Sequence, residues 1–272
     1  MTTKSSGRVH VVAGGFPAGA LGGHDMDYAR LRLLELLNEQ GLLATVGNDF
    51  SDLHRWLPIT QLLITYVAGP FLDDDQNRLV RRWLDDGGHW LGLHGTSGGK
   101  AARVGDGNRR RMVKSSHHDT LGGFFINHPP IRKFKVDVVD PDHALTRDIP
   151  DSFDAIDEPY MIEIQHPSET QLLLTAELGP DNTPPGRGFV YDEDTALEPD
   201  GKTRALGYTR DIGKGGVTYI ALGHCHSPTS QTNPNVDASV EAAGADSATL
   251  RDTWEAGPYM QLLRNAISWG VE

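Results

Sequence analysis

The sequence predicts an α/β fold: an open, mostly parallel sheet with helices on both faces and an added antiparallel portion in the C-terminal half. Three observations predict it. Over the first hundred residues, short β-branched or apolar runs alternate with amphipathic helical patterns. One of those runs, Leu62 to Val67 (LLITYV), is essentially apolar, as a strand covered on both faces must be. After Gly122 strand-like runs follow one another at shorter spacing, with no helical pattern between them.

The elements follow in order. Arg8 to Ala13 (RVHVVA) reads as a first strand, stopped by Gly14-Gly15. Met26, Ala29, Leu33, Leu36 and Leu37 then fall on one face of a helix that ends at Gly41. Leu42 to Val46 is a second strand and Leu62 to Val67 a third. Asp73, Asp74 and Asp75 put negative charge on the first turn of a second helix, where its dipole favours it. Leu79, Val80, Trp83 and Leu84 are its buried face, and Gly87-Gly88 its stop. Trp90 to Leu93 is a fourth strand, leading into His94-Gly95-Thr96-Ser97-Gly98-Gly99. Such alternation implies right-handed crossovers, and ligands of such sheets sit at the carboxyl ends of the strands. The loops after strands one and four are therefore where a site is expected.

The second half reads as strands at Ile131 to Val139, Tyr160 to Ile164, Gln171 to Ala176, Ala205 to Thr209 and Gly216 to Leu222, the last two joined by a turn at Asp211 to Gly215. Pro234 to Thr249 is a small-residue excursion. Met260, Leu263, Ile267 and Val271 mark a closing helix within Arg251 to Val271. With no linker and no internal repeat, residues 1–272 are expected to form one domain.

Composition narrows the function. The chain carries 37 acidic and 25 basic residues, a formal charge of −12, which repels phosphodiester backbones and anionic lipid; neither nucleic acid nor membrane is an expected partner. The sole cysteine, Cys225, forms no internal disulfide, Met1 to Gly7 lacks the apolar core of a signal peptide, and no apolar run approaches the ~18 residues of a membrane span. The expected location is cytoplasmic. A homo-oligomer remains open. Gly 31 and Pro 16 place much of the chain in loops, where function usually resides.

Chemistry-bearing residues stand just beyond strand ends: Gly22-Gly23-His24-Asp25, Gly92-Leu93-His94-Gly95 and Gly223-His224-Cys225-His226. Asn127-His128-Pro129 and Asp157-Glu158-Pro159-Tyr160 add two more groups. Imidazoles beside a carboxylate suit general acid/base work or a divalent ion such as zinc, with His24, His94, His224 and Glu158 as the ligand set, although no local spacing such as HExxH accompanies them. His94, Glu158 and His224 are the expected catalytic residues. His24, Asp25, His128, Tyr160 and His226 are the expected substrate contacts. Cys225 is expected to be an inert packed thiol, and His10, His54, His89, His117, His118 and His166 surface or packing residues. Asp142-His143 reads as a turn cap before Leu145. The run Arg109-Arg110-Arg111 with Lys114 reads as a solvated loop, with steering of an anionic substrate the sharper alternative. Gly14-Gly15-Phe16-Pro17-Ala18-Gly19 matches neither a dinucleotide fingerprint nor a P-loop.

Taken in order, GGHD (Gly22 to Asp25), GLHGT (Gly92 to Thr96), LGGFFINHP (Leu121 to Pro129), DHALT (Asp142 to Thr146), DEPY (Asp157 to Tyr160) and GGVTYIALGHCHSP (Gly215 to Pro228) resemble the ThuA-like, or trehalose-utilisation, family. The resemblance implies a flavodoxin-like fold related to class I glutamine amidotransferases. Glutaminase chemistry does not carry over, because the turn that holds the nucleophilic cysteine of those enzymes here holds His94, which forms no thioester. What the resemblance implies instead is a carbohydrate-processing enzyme of disaccharide or 3-keto-sugar catabolism, working by isomerisation, elimination or hydrolysis. The rival readings are a non-catalytic sugar-binding or regulatory module and metal-dependent hydrolysis.

Overall fold

The computed structural model describes residues 7–15 and 22–272. The glycine-rich segment read as neither fingerprint nor P-loop lies partly outside the described residues, from Phe16 onward.

Strand β1 (Arg8–Gly14) is followed by helix α1 (Met26–Glu39), β2 (Leu43–Gly47), the short α2 (Leu53–Trp56), β3 (Leu62–Val67), α3 (Asp74–Asp85) and β4 (His89–Leu93). The helices start where their caps dictate. The Asp25 carboxylate accepts the Tyr28 amide at 3.1 Å, and Asp73 with Gln76 forms a reciprocal capping box on α3. Ala29, Leu33, Leu36 and Leu37 of α1 are buried, the stripe the sequence predicts. On α3, Val80 and Leu84 are buried, while Leu79 and Trp83 are only partly covered.

After β4 come the hairpin β5 (Lys100–Arg103) and β6 (Arg110–Val113), α4 (Ser116–Leu121), β7 (Gly123–Asn127), β8 (Arg132–Val138), β9 (Ser152–Asp157) and β10 (Met161–Ile164). The chain continues with β11 (Thr170–Glu177), β12 (Thr203–Ile212), β13 (Gly215–Ile220), α5 (Ala238–Ala242), α6 (Asp252–Glu255) and α7 (Gly257–Val271). Nine strands form the central sheet, in the order β2-β1-β3-β4-β13-β12-β11-β8-β9. From β2 to β13 neighbours run parallel, and from β13 to β9 antiparallel. Strand β13 is the join, parallel to β4 on one side and antiparallel to β12 on the other. Every residue of β3 and of β13 is buried, so both faces of the sheet are covered there.

Several elements depart from expectation: α2, β5, α4, β7 and β9 form where no element was expected, and four others differ in place or kind. The Tyr160 to Ile164 strand does not enter the central sheet; β10 pairs with β7 in a separate two-stranded ribbon. The basic run is not wholly loop, since Arg110 and Arg111 lie in β6. The terminal helix breaks into α6 and α7 where Pro258, which lacks an amide proton, opens the second. The excursion from Pro234 carries α5, whose Val240 packs with Ile131 and Leu250 in a cluster of its own. His143 does cap its turn, its Nδ1 accepting the Leu145 amide at 3.1 Å.

Candidate functional site

At the end of β4 the chain turns sharply through His94–Ser97, and His94 takes φ +41, a left-handed conformation that costs a non-glycine residue about 1–2 kcal/mol. The ring is fixed from behind. Its Nδ1 lies 2.7 Å from the Ala221 carbonyl, and a carbonyl only accepts, so Nδ1 carries the proton and Nε2 presents its lone pair.

Beyond β13, Gly223 turns the chain at φ +109, where a Cβ would stand 2.3 Å from the Tyr259 hydroxyl. The Gly223 and His224 amides donate to the two carboxylate oxygens of Asp157 at 2.7 and 3.0 Å, and the Glu158 amide donates to the same group at 2.7 Å. Asp157, fully buried, thus ties the end of β9 to the turn after β13. Burial pushes its carboxyl up, only partly offset by His94 and those amides. Sequence reasoning passed Asp157 over, although it adjoins Glu158.

A relay of hydrogen bonds sets His224. The Ser247 carbonyl accepts from His226 Nε2 at 3.1 Å, leaving His226 Nδ1 as acceptor for His224 Nε2 at 2.9 Å. His224 Nδ1 is left with its lone pair, 3.3 Å from His94 Nε2 and 3.4 Å from Glu158 Oε2. His24 follows the same rule: its Nδ1 donates to the Gly22 carbonyl at 3.1 Å, freeing Nε2, which lies 3.5 Å from the Tyr160 hydroxyl. One ligand atom from each of His24, His94, Glu158 and His224 therefore falls within 4.8 Å of the others. Three imidazole lone pairs and a carboxylate oxygen so placed repel one another unless a cation lies among them. The donor set suits zinc or another borderline divalent ion.

The electrostatics agree. Burial, with His94 beside it, lowers His24 to about 4, and burial holds His224 well below the ordinary imidazole range, so both rings are neutral. Burial pushes the Glu158 carboxyl up, but the imidazoles around it, His128 first among them, together outweigh burial and hold it well below the usual range. Glu158 has a second partner: its Oε1 accepts from His128 Nδ1 at 3.0 Å.

A cavity of about 340 Å³ opens over this cluster, with His24, His128, Glu158, Tyr160, His224 and Phe189 in its wall. That volume suits a small-molecule ligand. Three expected site residues do not line it. His94 is fully buried, its ring tilted against Tyr160 with centroids 4.0 Å apart. Asp25, expected to touch substrate, spends its carboxylate on the α1 cap and on Arg251. His226, also expected to touch substrate, is fully buried with both ring nitrogens committed. Cys225 is buried, its Sγ 3.4 Å from the Tyr66 hydroxyl, and burial pushes the thiol up to about 12. His117 and His118 are buried too, both with Nε2 against the Gly98 carbonyl, at 3.1 and 2.9 Å.

A family model described as ThuA, trehalose utilisation, matches residues 18–243. No curated protein matches the sequence. Among solved structures, the chain is similar to a ThuA-like protein from Bacteroides uniformis, at TM-score 0.61 and 18% identity over 100% of this chain and 94% of that one. A ThuA-like protein from Parabacteroides merdae gives TM-score 0.58 and 16% identity over 98% and 90%. A β-galactosidase from Rahnella sp. R3 matches over 81% of this chain but only 29% of its own, at TM-score 0.53 and 14% identity. At such identities the likeness is one of fold.

Proposed function

Because the chain belongs to the ThuA, or trehalose-utilisation, family, we propose that it is an enzyme acting on keto-sugar glycosides through a cation centre formed by His24, His94, His224 and Glu158. The observation that carries this reading is the orientation of the donors: the three histidines each turn a lone pair inward because the far nitrogen is engaged by a carbonyl or by His226. When bound, a divalent ion would polarise a substrate carbonyl as a Lewis acid.

The protein's own groups supply proton transfer. With Nδ1 donating to Glu158, His128 keeps Nε2 as its free acceptor, and the residue is part of the cavity wall. A sugar carbonyl acidifies the neighbouring C–H. His128 takes that proton, the electron pair moves onto the carbonyl oxygen, and Glu158 stabilises the imidazolium formed. Return of the proton to the former carbonyl carbon, with the neighbouring hydroxyl proton passing to the oxyanion, gives isomerisation; its delivery to the glycosidic oxygen, as the carbonyl re-forms and the C–O bond to the departing group breaks, gives elimination. His94 and Glu158, expected from sequence both as catalytic residues and in the ligand set, act in this reading as ligands. Tyr160 walls the cavity, with its hydroxyl on His24.

Elemental analysis of purified protein, with turnover of 3-keto-trehalose followed by NMR in D2O, tests this. About one equivalent of metal is expected, and chelation, His94→Ala or His224→Ala should abolish both metal and turnover. His128→Asn should keep the metal and lose about 10²–10⁴ of the rate. Full turnover by metal-free protein and by His128→Asn would sink the proposal. Binding with no product on long incubation would leave a sugar-binding module.

A further inference from the structure

The hairpin formed by β5 and β6 is the most basic stretch of an acidic protein. Residues 100–114 hold six basic side chains against one acid, Asp106, while the whole chain carries −12. Two of the six are spent: Arg111 grips Asp192 through both guanidinium nitrogens, at 2.6 and 2.7 Å, and Lys114 pairs with Glu163. Arg109 and Arg110 form no ion pair among the described residues, and neither does Arg187 from the loop between β11 and β12.

That loop is pinned to the hairpin and to the site. The Val190 amide donates to the Arg110 carbonyl at 2.8 Å, and Asn127 accepts the Phe189 amide at 2.9 Å. Gly188 permits the approach: at φ +65, a Cβ there would lie 2.4 Å from the Asn127 side chain. The acids nearby are occupied or turned elsewhere. Asp181 accepts from Asn127, Thr183 and Tyr191, Asp194 holds Arg204, and Glu193 lines a separate groove with Arg111 and Asp192.

Between hairpin and loop lies a groove of about 420 Å³, lined by Asn108, Arg109, Arg110, Gly186 and Phe189. It shares His128, Gly188 and Phe189 with the central cavity, so the two are continuous across His128. We propose that this groove is a subsite for an anionic group, a carboxylate or a phosphate, that the substrate carries beside the sugar unit held in the central cavity. The inference rests on the reading of the central cavity as a sugar site. Arg109 and Arg110, flanked by Asn108, offer several donors to such a group, and in a chain of this charge they are an attractive focus for an anionic sugar.

Calorimetry on the full chain at low ionic strength tests it, with glucose, glucuronate and glucose 6-phosphate as probes. At least one of the two acids should bind about tenfold or more tightly than glucose, and whichever gains more identifies carboxylate or phosphate. The advantage should shrink with added NaCl and vanish in the exposed double variant Arg109→Ala/Arg110→Ala, while glucose binding stays unchanged. Equal affinity for acids and glucose, no binding of either acid, or an advantage that survives the double variant overturns the subsite. The catalytic reading fails separately. An anionic advantage retained in His94→Ala, with no turnover in the unmodified protein, would sink that reading and leave the subsite standing.

Discussion

Each histidine of the cluster is set by an acceptor behind it, and removing that acceptor should disturb the proposed centre without touching it. In His226→Phe, His224 Nε2 loses its acceptor, and the ring is free to adopt the tautomer that turns a proton toward His94 and Glu158. Zinc affinity, measured by competition with a chelator, should fall 10–100-fold, the usual cost of losing such a partner. His226→Gln, whose side-chain oxygen can still accept, should recover part of it. An unchanged affinity in His226→Phe would mean that the relay through Ser247 does not set the tautomer. His94 and His224 could be singled out in the sequence because each stands just past a strand end beside glycine, where α/β sheets hold ligands, His24 because it follows two glycines ahead of a helix, and Glu158 because it stands beside proline ahead of a strand-like run. Asp25 and His226 stand in the same motifs, yet their side chains point into a cap and a relay, and sequence spacing says nothing of that direction.

Elements place these residues through backbone bonds made far along the chain. Asp157 accepts three amides that span the end of β9 and the turn after β13. Asp157→Asn puts an amide donor against those donors, so at least one buried N–H loses its partner. Urea unfolding should report a loss of about 1–3 kcal/mol, with metal binding weakened because the His224 turn is no longer held. Asp25→Ala is the contrast. It removes the α1 cap and the Arg251 pair and should cost about 1–2 kcal/mol in the same measurement while metal content stays at the unmodified level. The strands around the site were the hardest elements to read. The GFFIN of β7 and the MIEI of β10 are short apolar runs, but their pairing with each other, outside the nine-stranded sheet, is a long-range contact that no local pattern encodes.

At the scale of the whole molecule, acid should unfold this protein through its buried histidines. Burial, and His118 beside it, lower His117 to about 3, and burial lowers His118 as well. The unfolded chain therefore binds protons at these positions first as pH falls. The part of the stability that depends on His117 is complete above about pH 6.5 and is lost toward pH 3, at about 1.4 kcal/mol per pH unit, and His118 contributes in the same direction. Urea unfolding at pH 7.5, 6.5, 5.5 and 4.5 should show this slope, and His117→Phe, which keeps an aromatic ring against Phe71, should flatten it. A slope unchanged in that variant would place the acid sensitivity elsewhere. By itself the sequence determined the layered α/β architecture, the parallel first half, the antiparallel second half and the loops that hold the histidines. These are written in local periodicity and in caps and glycine stops, each read within a few residues. Only the tertiary structure decided which ring nitrogen faces the cavity, that Asp157 joins two strand ends, and that the basic hairpin lies against the site. Each of these depends on hydrogen bonds between residues far apart in sequence, whose partners exist only once the sheet has closed.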